Sequence, residues 1–299
     1  MSRPVAVITG GARGIGLEAA RRLGSTHRVA LLDLDGDGAH RAAAGLGGDA
    51  IAVQCDITDE SSVTAAVEQV VAEAGGIDVC ISNAGILTAG ALRLLDPEVV
   101  AAQVNVNLVG NWRFVHACLP HVIARRGYVL GVASAAALAP TGGLGAYCAS
   151  KAGFEMLLNC LRIEVAHLGV DVGVAYFAFV DSEMVRGTDL QHPGFNRMRE
   201  AAPGPFGKTI PVSRAGAVIA RGVKRRSPVV VAPRFVGPLR RLRGMVPGAI
   251  ERGNRRMAPE VDAFTAEMVA QRGTFGGGLR PGDAGAAAAA RSVTGEASR

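Results

Sequence analysis

Apolar runs of six to nine residues alternate along the chain with longer stretches in which apolar positions recur every three or four residues. "PVAVIT" (4–9), "HRVALLD" (27–33), "AIAVQCD" (50–56), "IDVCISNAG" (77–85), "GYVLGVAS" (127–134), "VDVGVAYF" (170–177) and "SPVVVAP" (227–233) read as buried strands. Helical patterns lie between them, at about 14–23, 37–45, 59–74, 97–124 and 147–167. In the third, Val63, Ala66, Val67, Val70 and Val71 mark one face, with Thr58 as the expected cap. Pro97 suits the first turn of the fourth. Strands that alternate with helices require right-handed crossovers, and so a parallel sheet covered on both faces. The pattern predicts a doubly wound α/β fold of about seven strands in one domain over 1–233.

Composition agrees with a core of that kind. Apolar residues make up 49% of the 299 positions but aromatic residues only 4%, so the interior must be aliphatic, as in sheets buried on both faces. The five cysteines form no Cys-x-x-Cys pair and the six histidines no cluster, so neither a disulfide framework nor a metal site is expected. No secretory pattern opens the chain, and no run of eighteen apolar residues occurs. The expectation is a cytoplasmic protein. The net charge of +6 is local: residues 221–256 hold eleven basic residues against Glu251 alone. Aromatic residues are not interleaved with these cations, which argues against nucleic acid as a partner.

The loop "TGGARGIG" (9–16) between the first strand and the first helix sets glycines at 10, 14 and 16. Glycines there let a diphosphate approach backbone N–H groups at the start of a helix, the arrangement of Rossmann-type dinucleotide sites. Asp33 ends the second strand, where a carboxylate accepts hydrogen bonds from the adenosine ribose and repels a 2′-phosphate. That favours NAD over NADP, with Asp35 and Asp37 adding negative charge. Arg13 in the phosphate loop argues the other way, or serves as a surface or subunit-bridging cation. Asp56 and Ile57 end the third strand, where they can flank the adenine. Asn83, Ala84 and Gly85 form a turn at the end of the fourth.

In "GAYCASKAGF" (145–154), Tyr147 precedes Lys151 by one helical turn, so the two share a face. An ammonium beside a phenol favours the phenolate and lowers its pKa. Taken with "TGGARGIG", "NAG" (83–85), "NVNLVG" (105–110), and Ser134 thirteen residues before Tyr147, this segment makes the chain resemble the short-chain dehydrogenase/reductase family over about residues 3–233. The resemblance implies a catalytic set of Asn107, Ser134, Tyr147 and Lys151. Tyr147 would be the general acid/base, Ser134 would orient the substrate oxygen, and Lys151 would bind the nicotinamide ribose. Asn107 would support a water chain. Asn105 and Ser82 are nearby residues of similar chemistry. The resemblance also implies cofactor contacts from Gly10, Arg13, Gly14, Ile15, Gly16, Asp33, Asp56, Ile57, Asn83, Ala84, Gly85, Tyr147, Lys151, Val180 and Ser182. One departure stands out: after the sixth strand the family carries Pro-Gly, whereas this chain has Phe177-Ala178. Phe177 would then form a bulky pocket wall.

Residues 183–212, rich in proline and glycine, read as a substrate lid, either a mobile loop or broken helices. Met184, Leu190, Phe195, Met198 and Phe206 would line a lipophilic pocket, so the expected substrate is a lipophilic secondary alcohol or ketone. A basic extension follows over 234–272. Within 234–257, Phe235, Leu239, Leu242, Val246 and Ile250 recur near helical spacing, and Pro238 and Pro247 confine that stretch to short helices. It could cover the pocket, bridge subunits or lie on an anionic membrane surface. Residues 273–299, rich in glycine and alanine, read as a disordered tail. The resemblance further implies a homodimer or homotetramer. An NADPH-preferring carbonyl reductase and a non-catalytic dinucleotide sensor or scaffold are the alternative readings.

Overall fold

The computed structural model describes residues 3–272, apart from His192, Ala202, Pro203, Phe206 and Val246. The expected tail at 273–299 lies outside the described residues. Seven parallel strands form one sheet in the order β3-β2-β1-β4-β5-β6-β9. They are β1 (Val5–Thr9), β2 (Arg28–Asp33), β3 (Ile51–Gln54), β4 (Val79–Ser82), β5 (Tyr128–Val132), β6 (Asp171–Phe177) and β9 (Val229–Ala232). A separate parallel pair joins β7 (Val180–Asp181) to β8 (Ile210–Pro211). The chain moves outward from β1 to β3, then returns to begin β4 beside β1. That reversal opens a crevice at the carboxyl edge of the sheet, where ligands bind in folds of this type.

Helices cover both faces. On one side α3 (Glu60–Ala74), α5 (Asn111–Ala124) and α6 (Gly145–Glu164) press on a core that includes Val7, Val67, Phe114, Val129 and Leu158. On the other, α1 (Gly14–Leu23), α2 (Gly36–Leu46) and α9 (Val212–Arg225) press on Ile8, Ala20, Leu31 and Ile219. The strands are almost wholly buried, every residue of β1 and of β5 included, because neither face of the sheet meets water.

Several expectations shift in detail. The cap of α3 is Asp59, whose carboxylate accepts from Ser61 N; Thr58 instead donates to Asp56. The predicted helix at 97–124 is α4 (Pro97–Val104) running into α5 through a π-helical turn at Asn105–Gly110. The 183–212 segment takes the second of its two expected forms, helices in place of a loop. It folds into α7 (Glu183–Gln191) and α8 (Pro193–Ala201). Arg199 holds it together with hydrogen bonds to Asp189, Asn196 and Gly207 O, at 2.8, 2.6 and 2.9 Å. Pro247 does not confine the extension to short helices. After α10 (Val236–Leu242) it occupies the first position of α11 (Pro247–Arg272), a helix of 26 residues. A first-turn proline costs a helix nothing, because its missing N–H has no partner there. Phe177 is 3% exposed in the core between the sheet and α9, so it is no pocket wall. Among the described residues no helix is long and apolar enough to cross a membrane.

Candidate active site

The cofactor end is built around the turn between β1 and α1. Arg13 occupies the N-cap of α1 in an extended conformation, with no side-chain cap and no acidic residue in the first turn. The helix therefore presents unpaired N–H groups and its positive dipole end to the crevice. A Cβ at Gly16 would fall 2.1 Å from Gly10 O, so only glycine lets the loop close this tightly. Such a cradle fits a dinucleotide diphosphate.

Asp33 accepts from Ala12 N at 3.0 Å and from Asp35 N at 3.1 Å, which fixes its carboxylate at the edge of the loop. Asp35 is itself used as the cap of α2, accepting from Gly38 N. Arg13 reaches across the crevice to Glu183 at the start of α7, 3.1 Å away, linking the phosphate loop to the lid. The side-chain amide of Asn83 is spent on Thr9 O and Gly10 O, so it braces the loop. Asp56 Oδ1 is held by Thr58, and Ile57 is buried under the close approach of Gly110.

At the chemical end, α6 begins at Gly145 and carries Tyr147 and Lys151 on one face, with Nζ 6.0 Å from the centre of the tyrosine ring. Lys151 is 3% exposed and donates to Val132 O at 2.9 Å. Ser134, just past β5, accepts from Ala136 N at 3.1 Å and hydrogen-bonds Tyr147. Burial pushes the Tyr147 phenol up to about 12, with the Ser134 hydrogen bond pulling against it. Burial pushes the Lys151 ammonium down to about 8. The phenol is therefore raised, against the expectation of a lowering by Lys151, because burial disfavours the charged form of each group.

Asn107 lies in the π turn, a distortion frequent at functional sites. Its Oδ1 accepts from Ile86 N, and its Nδ2 donates to Ile86 O and to Ser150 Oγ, at 2.9, 2.9 and 3.2 Å. A Cβ at Gly85 would lie 3.0 Å from Asn107 Oδ1 and 3.4 Å from Lys151 Nζ, which places these three residues together.

A sequence profile described as short chain dehydrogenase matches residues 4–192. This chain belongs to that family. It is 30% identical to the 3-oxoacyl-[acyl-carrier-protein] reductase of Homo sapiens over 214 residues, covering 71% of this chain and 88% of the relative. It is 33% identical to the secoisolariciresinol dehydrogenase of Forsythia intermedia over 178 residues, 56% of this chain and 62% of that one. The crystal structure of 3-ketoacyl-(acyl-carrier-protein) reductase from Brucella melitensis complexed with NADH superposes with a TM-score of 0.67 at 25% identity. That superposition covers 77% of this chain and 97% of the other.

As a short-chain dehydrogenase, the chain is an oxidoreductase of the class that acts on alcohol and carbonyl groups. Its structure brings Asn107, Ser134, Tyr147 and Lys151 to one end of the crevice, and the 10–16 loop, Asp33 and Asp56 to the other. Ser182 caps α7, its Oγ accepting from Val185 N at 3.4 Å, and Val180 lies in β7 beside it. The two residues of similar chemistry are engaged elsewhere: Ser82 bonds Asn111 and Asn105 accepts from Arg113.

Three supporting residues were not singled out from the sequence. Thr9 Oγ1 accepts from Asn83 N and Ala84 N, Asn111 donates to Ala84 O, and Ser150 anchors Asn107. A polar residue inside an apolar strand was the available signal for Thr9. Of the pocket residues expected in the lid, Leu190 is 79% exposed and Met184 39%, whereas Phe195 is fully buried. The side chain of Met198 and all of Phe206 lie outside the described residues.

Proposed function

We propose that this short-chain dehydrogenase interconverts a lipophilic secondary alcohol and its ketone with NAD(H). The observation that carries the reading is the placement of Tyr147 one helical turn from buried Lys151, whose Nζ lies 6.0 Å from the ring centre, at the carboxyl edge of the sheet. NAD, when bound, supplies or accepts the hydride at its nicotinamide ring. The loop over Gly10, Arg13, Gly14, Ile15 and Gly16 would hold its diphosphate, with Asp56 and Ile57 flanking the adenine. Ala84 and Gly85 would line the middle of the crevice, and Val180 and Ser182 would meet the carboxamide. NAD is favoured over NADP because the fixed Asp33 carboxylate accepts hydroxyl donors and repels a phosphate. The Brucella melitensis relative, complexed with NADH, is in keeping with that choice.

The proton is moved by Tyr147 Oη, which gives it to a carbonyl oxygen during reduction and takes it from a hydroxyl during oxidation. Ser134 Oγ holds the same oxygen in line. Lys151 Nζ binds ribose hydroxyls and stabilises the phenolate once formed. Asn107, set by the π turn, supports the route by which the proton is replaced from solvent. Lipophilic substrates are favoured because Tyr147 borders an apolar cluster that includes Leu144, Phe195 and Phe264.

A panel of aliphatic, steroid and retinoid alcohols and ketones, followed by NADH absorbance, tests this reading against a cofactor sensor or scaffold. Tyr147→Phe should lower turnover by about a hundredfold or more, the low end for a positioned acid/base, with NADH affinity little changed. Turnover near wild type in Tyr147→Phe refutes the mechanism.

A further inference from the structure

Helix α11 lies beyond the 4–192 stretch that matches the family, yet it folds back onto the catalytic end of the molecule. Val261 and Phe264 are 4% and 5% exposed. They join Leu95, Leu144 and Phe195 in an apolar cluster separate from the two sheet cores, and Tyr147 leans on that cluster. The helix is fastened to segments on two sides. Thr265, fully buried, accepts from Ala91 N at 3.0 Å, and Arg93 forms an ion pair with Asp262 at 3.0 Å. On the lid side Arg197 pairs with Glu260 at 3.0 Å.

Exposed ion pairs such as these contribute little energy each, but together with the buried Thr265 bond they fix which face of α11 turns inward. The Phe264 ring rests directly on the backbone of α8: a Cβ at Gly194 would fall 2.3 Å from its Cδ1. Phe195, the next residue, meets Phe179 edge to face at 6.0 Å. The charged groups of α11 near this cluster, Glu260 and Asp262, are already paired with arginines outside it.

We propose that α11 is the size filter of the substrate pocket and that Phe264 is its end-stop. The apolar substituent of the alcohol or ketone, on the side away from the hydride, packs against Phe264 and Val261. This side of the pocket takes an uncharged hydrocarbon group, and its length is read by an aromatic ring carried on a helix beyond the 4–192 stretch that matches the family. The proposal rests on the oxidoreductase reading given above.

The test is a homologous series of unbranched methyl ketones, short to long, assayed with NADH. Phe264→Ala should shift kcat/KM toward longer ketones, by about tenfold or more in the ratio of longest to shortest, because each methylene in an apolar pocket discriminates by roughly 10-fold or more. The change should fall in KM rather than kcat. Gly194→Ala, which pushes the same ring away from α8, should shift the profile the opposite way, and it carries the test if Phe264→Ala does not fold. Ketone binding to Tyr147→Phe and to Tyr147→Phe/Phe264→Ala with NADH, read by thermal shift over the same series, gives a measure that needs no turnover. Wild-type protein inactive on every ketone and alcohol would sink the oxidoreductase reading, while the binding series still decides the role of Phe264. The same length profile in wild type, Phe264→Ala and Gly194→Ala would overturn the size-filter proposal.

Discussion

Lys151 serves the proposed chemistry but is unwelcome in the fold, and its replacement should make the protein more stable. Its side chain is 3% exposed and its charge is shifted by burial, from an ordinary value of 10.5 to about 8. Each unit of displacement corresponds to about 1.4 kcal/mol, so the folded state carries a penalty of about 3 kcal/mol for keeping this ammonium charged. The unfolded chain holds the proton up to pH 10.5 or so, whereas the folded chain releases it near 8. Between those values the unfolded state binds more protons, and stability rises with pH. Below about pH 8 the penalty is complete and constant.

Lys151→Met removes it but leaves Val132 O without its donor, which costs about 1 kcal/mol. The net gain near pH 7 is therefore about 2 kcal/mol, or roughly 4 °C in Tm. Denaturation of the apo protein from about pH 6 to pH 10 should show the variant ahead at neutral pH, with the gap closing as pH rises. The raised phenol of Tyr147 titrates above that range and is common to both proteins. A variant less stable than wild type at pH 7, or a gap that does not narrow, would refute the argument.

Asp33→Ala should raise the Kd for NAD by about tenfold, the loss of one or two charge-assisted hydrogen bonds, and should narrow the discrimination against NADP. Fluorescence titration of both cofactors measures this, and a wild type that prefers NADP would contradict the assignment of Asp33. Light scattering should find a homodimer or homotetramer, since α6 leaves Met156 and Ile163 56% and 79% exposed; a monomer at assay concentration would count against it.

The sheet and its helices were legible because each rests on local periodicity. Runs such as "VAVIT" stay apolar at every position when both faces are covered, and the loops at strand ends show their chemistry in glycine and aspartate. The pairing of Tyr147 with Lys151 was legible by spacing, since four positions along α6 place them on one face whatever the tertiary surroundings. What was hidden depends on contacts distant in sequence. Nothing near Asn107 announces that its side chain ties Ile86 to Ser150, and nothing near Tyr147 discloses that desolvation raises its pKa. Phe177 was misplaced because it ends β6 on the face that α9 covers, and that cover comes from a helix distant in sequence. Helix α11 was misread because Pro247 is a breaker inside a helix but a starter at its first turn. The register that seats Phe264 against Gly194 joins positions seventy apart.

The hydroxyl of Thr9 has a wider consequence. It is 1% exposed at the end of β1 and receives both N–H groups that begin the turn after β4, at 3.0 and 3.2 Å. One oxygen atom therefore splices the two halves of the sheet at the point where the chain changes direction. A hydroxyl has only two lone pairs, and both are taken, so the ends of β1 and β4 are locked in a single stagger. The glycine loop hangs from one of those ends, and Gly85, beside Lys151, from the other. The spacing between the glycine loop and the Gly85–Lys151 corner is thus set at this hydroxyl, beside the β1–β4 ladder, and in the proposed function a ligand spanning both must match it.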